Sequence, residues 1–214
     1  MTTVALCIPS GDRWHAGFAL DVAKLVGAES LHDPTLALAV LNVRGSILPQ
    51  LRATLAAQAL GIGADWLLWL DSDMRFPKDT LRRLLAHDRP IVGCNYPTRQ
   101  PPITTGCIRG TETIYTAPES HGLESVDRMG FGCVLVARDV FVRMERPWFI
   151  FGYNRHEDGY IGEDYYWFQK AKAMGHDVWV DHDLSHEIFH LGEVPLSNTH
   201  AVHARQEAFA HGTG

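Results

Sequence analysis

The chain lacks an apolar run long enough to cross a membrane, and its first residues, MTTVALCIPSGD, lack a basic stretch ahead of an apolar one. A transmembrane segment and a secretory leader are therefore not expected, and the expectation is a soluble, cytoplasmic protein. Positive charge is also in short supply: 19 Lys and Arg stand against 25 Asp and Glu, for a net charge of −6. Nucleic acid as the main partner, or an anionic membrane, would call for a basic face, so neither is expected. Cysteines are few and dispersed. Cys7, Cys94, Cys107 and Cys133 show no CxxC spacing, and three of them sit in apolar runs, which reads as buried thiols rather than disulfides or zinc ligands. There is no GxGxxG and no GxxxxGK[ST], which excludes a dinucleotide fingerprint and a Walker loop. No internal repeat or low-complexity segment occurs.

What remains is 214 residues, 46% hydrophobic, enough for one sizeable core in a single domain. The chain is organised around LLWLDSDMRFP, Leu67 to Pro77, where an uncharged run ends in two aspartates one residue apart. Such a run suits a strand buried on both faces of a parallel sheet. Ligands of open α/β sheets bind outside the carboxyl ends of the strands, which is where Asp71, Ser72 and Asp73 fall. Residues i and i+2 of an extended segment share a side, so the two carboxylates can converge on a hard divalent cation. A solvated turn explains an isolated Asp-x-Asp equally well.

Taken in order, TVALCIP predicts a first strand, followed by a turn at Ser10-Gly11-Asp12 and a helix through WHAGFALDVAKLVG that Gly27 would end. A second strand, Leu36 to Val43, precedes a helix through SILPQLRATLAAQALG, which ends at Gly61 or Gly63 and carries Arg52. After the aspartates come a helix between Pro77 and Pro90, the strand PIVGCNY, and a stretch from Pro101 to Arg128 that reads as antiparallel hairpins. MGFGCVLVARDV predicts a hinge, a strand and a short helix. Gly130 and Gly132 would let the backbone approach a ligand, or form a bulge. Trp148, Phe149, Phe151 and Tyr153 form an aromatic cluster that either packs in the core or stacks on a sugar. Gly162-Glu163-Asp164 opens a helix that Gly175 would end, and the macrodipole alone explains acidic residues there.

Near the end, HEIFH (186–190) matches the HExxH signature of zinc metallopeptidases. Two features oppose that reading: no helical stripe surrounds it before Gly192 and Pro195, and the glycine of the longer zincin motif comes one residue too early. Glu207 is an unmarked third ligand at best, and residues 195–214 read as a solvated tail.

The order Asp71-Ser72-Asp73, Glu163-Asp164, His190-Leu191-Gly192 resembles the GT-A class of glycosyltransferases, of the family 2-like type found in small bacterial and phage proteins, over residues 3 to 192. The resemblance implies an α/β fold, a GT-A type three-layer sandwich with a mostly parallel central sheet over residues 1–194. It implies a metal-dependent glycosyltransferase that takes a nucleotide-sugar donor and a glycan, lipid or protein acceptor. Manganese or magnesium would be held by Asp73 and His190, with Asp71 on the metal, on one of its waters or on the ribose. Pro9 and Ser10 would lie beside base and ribose, with Ser72, Arg52 and Gly132 on the donor. The run Ile91 to Tyr96 and Arg99 also matches. In an inverting enzyme Asp164 would be the base and Glu163 would help to position the acceptor. The zinc metallopeptidase and a non-catalytic nucleotide-sugar or glycan-binding module are the alternatives.

Overall fold

A computed structural model describes residues 1–100, 102–154 and 158–192. The expected tail over 195–214, Glu207 and part of the polar loop after Tyr153 lie outside the described residues. In chain order the elements are β1 (Thr2–Ser10), α1 (Ala16–His32), β2 (Leu36–Arg44), α2 (Leu48–Gly61), β3 (Trp66–Leu70), β4 (Met74–Arg75), α3 (Thr80–Ala86) and β5 (Ile91–Gly93). The second half holds β6 (Ile108–Arg109), β7 (Glu112–Thr113), β8 (Leu123–Val126), β9 (Cys133–Ala137), α4 (Arg138–Arg143), β10 (Gly152–Asn154), β11 (Gly159–Ile161), α5 (Glu163–Ala173), β12 (Val178–Asp181), α6 (His182–Ser185) and β13 (Phe189–His190).

Seven strands form the central sheet in the order β2-β1-β3-β9-β5-β12-β8. β2, β1, β3, β5 and β12 run in one direction; β9, inserted between β3 and β5, and the edge strand β8 run against them. The fold is thus an α/β three-layer sandwich on a mostly parallel sheet. β3 shows why its sequence is uncharged throughout. Leu67 and Trp69 pack on one face with α2, α4 and α5, while Leu68 and Leu70 pack on the other with α1, α3 and α6, and all four are fully buried. Alternation gives each face its own apolar layer, and a charge at any of the four positions would be stranded.

The helix boundaries follow local chemistry with one exception. α2 stops at Gly61 because Gly63 takes a left-handed conformation (φ 75°), and α5 stops before Gly175 (φ 84°) for the same reason. α1 does not end at Gly27; it continues to His32 and stops before Pro34. A glycine alone weakens a helix by about 1 kcal/mol, and the contacts of buried Leu25 and Val22 against the sheet outweigh that. The aromatic cluster divides. Trp148 and Phe149 join Trp69, Phe131, Phe141 and Trp167 in the core, whereas Phe151 and Tyr153 are more than half exposed. All four cysteines are buried free thiols, as expected. No helix among the described residues is long and apolar enough to span a membrane.

Candidate metal and nucleotide site

The site forms at the carboxyl ends of β1 and β3, beside the start of β9. Where β3 ends, the Asp71 amide donates to the Gly132 carbonyl (3.1 Å), which turns the chain out of the sheet and sets Asp71-Ser72-Asp73 along its edge. The Ser72 carbonyl accepts from the His15 amide (3.3 Å), just ahead of α1. Pro9, Ser10, Asp71, Ser72 and Asp73, together with Arg99, border a cavity of about 240 Å³. Ser10 is fixed there, because the Asn42 amide donates both to its Oγ (2.9 Å) and to the Ile8 carbonyl (2.8 Å).

His190 arrives from far along the chain. β13 pairs antiparallel with β4, which places His190 opposite Met74, and the Leu191 amide donates to the Asp73 carbonyl (2.8 Å). His190 Nε2 then lies 3.4 Å from Asp73 Oδ2, while its Nδ1 faces the Pro97 carbonyl at 2.9 Å. The Asp73 hydrogen bond raises the imidazole pKa, against the effect of burial. Burial would raise the Asp73 carboxyl, but the hydrogen bond and charge of His190, with the charge of Arg99, hold it below the ordinary range. The Arg99 guanidinium also pairs with Asp73 Oδ2, so one carboxylate oxygen draws two nitrogen groups.

Asp71 sits differently. Arg52 Nη2 donates to both its carboxylate oxygens (3.0 and 3.2 Å), and Arg52 Nε donates to Glu163 Oε1 (3.2 Å). Arg52 is fully enclosed, with its guanidinium over the rings of Phe131 (5.2 Å) and Trp69 (5.9 Å). Burial raises the pKa of Asp71 and of Glu163, and the Arg52 charge opposes this in both. Arg52 thus lies outside the cavity lining, its charge held by two buried carboxylates. Glu163 is paired with Arg52. Asp164, one residue on, is only partly buried. Its Oδ1 accepts from the Tyr165 amide (2.7 Å), and among the described residues no donor reaches its Oδ2.

Gly132 packs closely against Tyr96. A Cβ there would stand 2.7 Å from the Tyr96 hydroxyl, which accepts from the Gly132 amide at 2.8 Å, and a Cβ on Gly130 would strike the same hydroxyl. The two glycines make room for the Tyr96 ring, which packs edge-on against His190 (5.4 Å between centroids, 83°). Tyr96 and Arg99 are the site residues to which sequence reasoning gave no role. Their signal was the match of the run Ile91 to Tyr96 and of Arg99 to the GT-A pattern, with Tyr96 closing PIVGCNY and Arg99 three residues beyond it.

HEIFH is not a helix. α6 ends at Ser185 with His186 as its cap, and β13 begins at Phe189. His186 Nε2 meets the Ser120 carbonyl (3.0 Å), Glu187 pairs with Arg83 (2.6 Å), and His190 faces Asp73, so the three residues point to three places. A zincin needs both histidines on one helical face, and that geometry is not built.

Among the described residues no group of three or more His, Cys, Asp or Glu side chains is arranged to hold a metal ion. Asp73 and His190 nonetheless fit manganese or magnesium as a two-ligand site: such ions keep several waters and bind one or two protein groups plus phosphate oxygens. The Asp73 oxygen that would bind the ion already holds a cation, the Arg99 guanidinium.

No protein-family model and no curated protein matches the chain. Among solved structures it is similar to A197 from STIV, with a TM-score of 0.52 at 14% identity over 92% of this chain and 97% of that one. Residues 1–349 of TarS from S. aureus superpose with a TM-score of 0.48 at 13% identity, over 89% of this chain and 60% of that chain. A glycosyltransferase involved in the glycosylation of the major capsid of PBCV-1 gives 0.35 at 16%, over 69% and 70%. The A197 match is a likeness of fold, and the other two superpose too loosely to add to it.

Proposed function

We propose that the protein is a metal-dependent glycosyltransferase, moving a sugar from a nucleotide-sugar donor to an acceptor hydroxyl in the cytoplasm. The observation that carries this reading is the meeting of Asp73 and His190 beside a cavity that Pro9, Ser10 and Asp71 also border. The order of the three motifs, which resembles that of GT-A enzymes, supports it as well. Pro9 and Ser10 bind the base and ribose end of the donor. Ser72, between the two aspartates, lies on the same wall. Asp73 and His190 would hold manganese or magnesium, which would supply positive charge for the departing diphosphate. Asp71, clamped by Arg52, keeps the wall rigid and presents its free edge to the ribose or to a metal water. Asp164 takes the proton of the acceptor hydroxyl as that oxygen bonds to the anomeric carbon. The bond from that carbon to the diphosphate breaks in the same step, with its electron pair leaving on the phosphate oxygen.

Calorimetry with UDP, GDP and dTDP, each with manganese and with chelator, tests the reading. The expected result is metal-dependent binding of one nucleotide, lost in Asp73→Ala. Folded protein that binds none of the three with metal present would overturn it.

A further inference from the structure

The cavity bordered by Asp71 and Asp73 has an unusual charge balance for a site that receives a diphosphate. Two carboxylates stand in its wall, and among the described residues Arg99 is the one cationic residue there. Arg52, which holds Asp71, is enclosed and committed to Asp71 and Glu163. Arg99 is free of such commitments. Its side chain is 54% exposed, and its partner is the Asp73 oxygen that also faces His190. Its backbone is anchored: the Thr98 amide donates to the Thr104 carbonyl (2.6 Å), the Thr104 amide donates back to Thr98 Oγ1 (3.1 Å), and Pro97 bridges to Thr105. Arg99 borders both this cavity and a neighbouring one of about 250 Å³ lined also by His15, Gln100, Leu191 and Gly192. A long, exposed side chain on a tied-down loop can change partners at little cost.

We propose that Arg99 is a cation that exchanges partners: it neutralises Asp73 while the site is empty, yields that carboxylate to the divalent ion, and then binds the donor diphosphate from the opposite side. This rests on the glycosyltransferase reading and adds a residue and an order of events to it. Two full charges of one sign on a single carboxylate oxygen repel each other, so an ion that takes Asp73 Oδ2 beside His190 displaces the guanidinium. A displaced guanidinium beside a diphosphate finds a bidentate acceptor that matches its planar fork. The competition also keeps Asp73 charged and oriented before the ion arrives.

The consequence is a pair of effects with opposite signs at one residue. In Arg99→Gln, Mn²⁺ alone binds tighter, by about two- to fivefold, because an exposed ion pair no longer competes. The nucleoside diphosphate that binds wild type with manganese binds the variant about tenfold more weakly, because a charge-assisted hydrogen bond is gone. Arg99→Lys keeps the competition for Mn²⁺ and recovers part of the nucleotide affinity. Mn²⁺ affinity is read by electron paramagnetic resonance of the free ion, and nucleotide affinity by calorimetry, with thermal unfolding as a check on the fold. Mn²⁺ binding unchanged or weakened in Arg99→Gln, or nucleotide binding unchanged, overturns the exchange while wild-type nucleotide binding leaves the glycosyltransferase reading standing. Wild type that binds neither Mn²⁺ nor any of UDP, GDP and dTDP overturns both.

Discussion

Arg52 Nη2 stands 3.0 and 3.2 Å from the two carboxylate oxygens of Asp71, so the first aspartate of the Asp-Ser-Asp motif is clamped from below while the second, Asp73, faces His190 and Arg99. The two carboxylates differ in partner, and their pKa values move in opposite directions, up for Asp71 by burial and down for Asp73 by its partners. Asp71 is held as structure and Asp73 is left available to a cation.

Replacing Arg52 by Met keeps the packing stem and strands two buried carboxylates. The expected loss of stability at pH 7 is about 3–5 kcal/mol, the range for breaking a buried pair by removing one partner. Asp71 and Glu163 both have raised folded-state pKa values, so their penalty is absent below the unfolded-state values and grows as pH rises through the folded ones. Urea unfolding of Arg52→Met should therefore show a smaller deficit at pH 5 than at pH 7. An equal deficit at both would mean that packing, not charge, is what Arg52 supplies.

Gly132→Ala should destabilise the protein by about 1–3 kcal/mol, because the new methyl meets the Tyr96 hydroxyl and ring inside a filled core. In a Tyr96→Ala background the same substitution should cost almost nothing, since the ring it strikes is gone. Additive costs in that double-mutant cycle would place the strain somewhere other than Tyr96.

Asp164→Asn separates binding from chemistry. Nucleotide affinity should stay within about twofold of wild type, and turnover with a competent acceptor should fall by about 10²- to 10⁴-fold, the usual contribution of a positioned base. Glu163→Gln should instead lower stability through Arg52. Full turnover in Asp164→Asn would move the base elsewhere.

Glu29 on α1 is buried, both of its carboxylate oxygens lack a hydrogen-bond partner among the described residues, and Arg82 Nη1 lies 3.6 Å from Oε1. Burial raises its pKa, with the Arg82 charge opposing. Its favourable, protonated state is fully present below the unfolded-state pKa and is lost as pH rises through the folded one. Glu29→Met should therefore stabilise the protein by about 1 kcal/mol at pH 7, with the gain shrinking toward pH 4. A loss of stability at pH 7 would show that the Arg82 pair is worth more than its desolvation.

The sequence by itself determined the elements whose cause is local. An uncharged run made β3 a doubly buried strand, glycines past the ends stopped α2 and α5, and the place of Asp71 and Asp73 at the carboxyl end of β3 followed from those. Periodicity and end signals read a residue against its near neighbours, and here those neighbours were sufficient. The tertiary structure decided whatever depended on partners far along the chain. Arg52 and Glu163 are 111 residues apart, and only the packing of α2 against the start of α5 makes Arg52 a buried clamp rather than a solvated helix arginine. The two-residue ladder of β4 and β13 brings His190 to Asp73, and the same strand breaks HEIFH as a helix. Gly130 and Gly132 could announce a close approach, but not that Tyr96 makes it. Each of these is a desolvated contact between distant segments, fixed by the shape of the packed sheet.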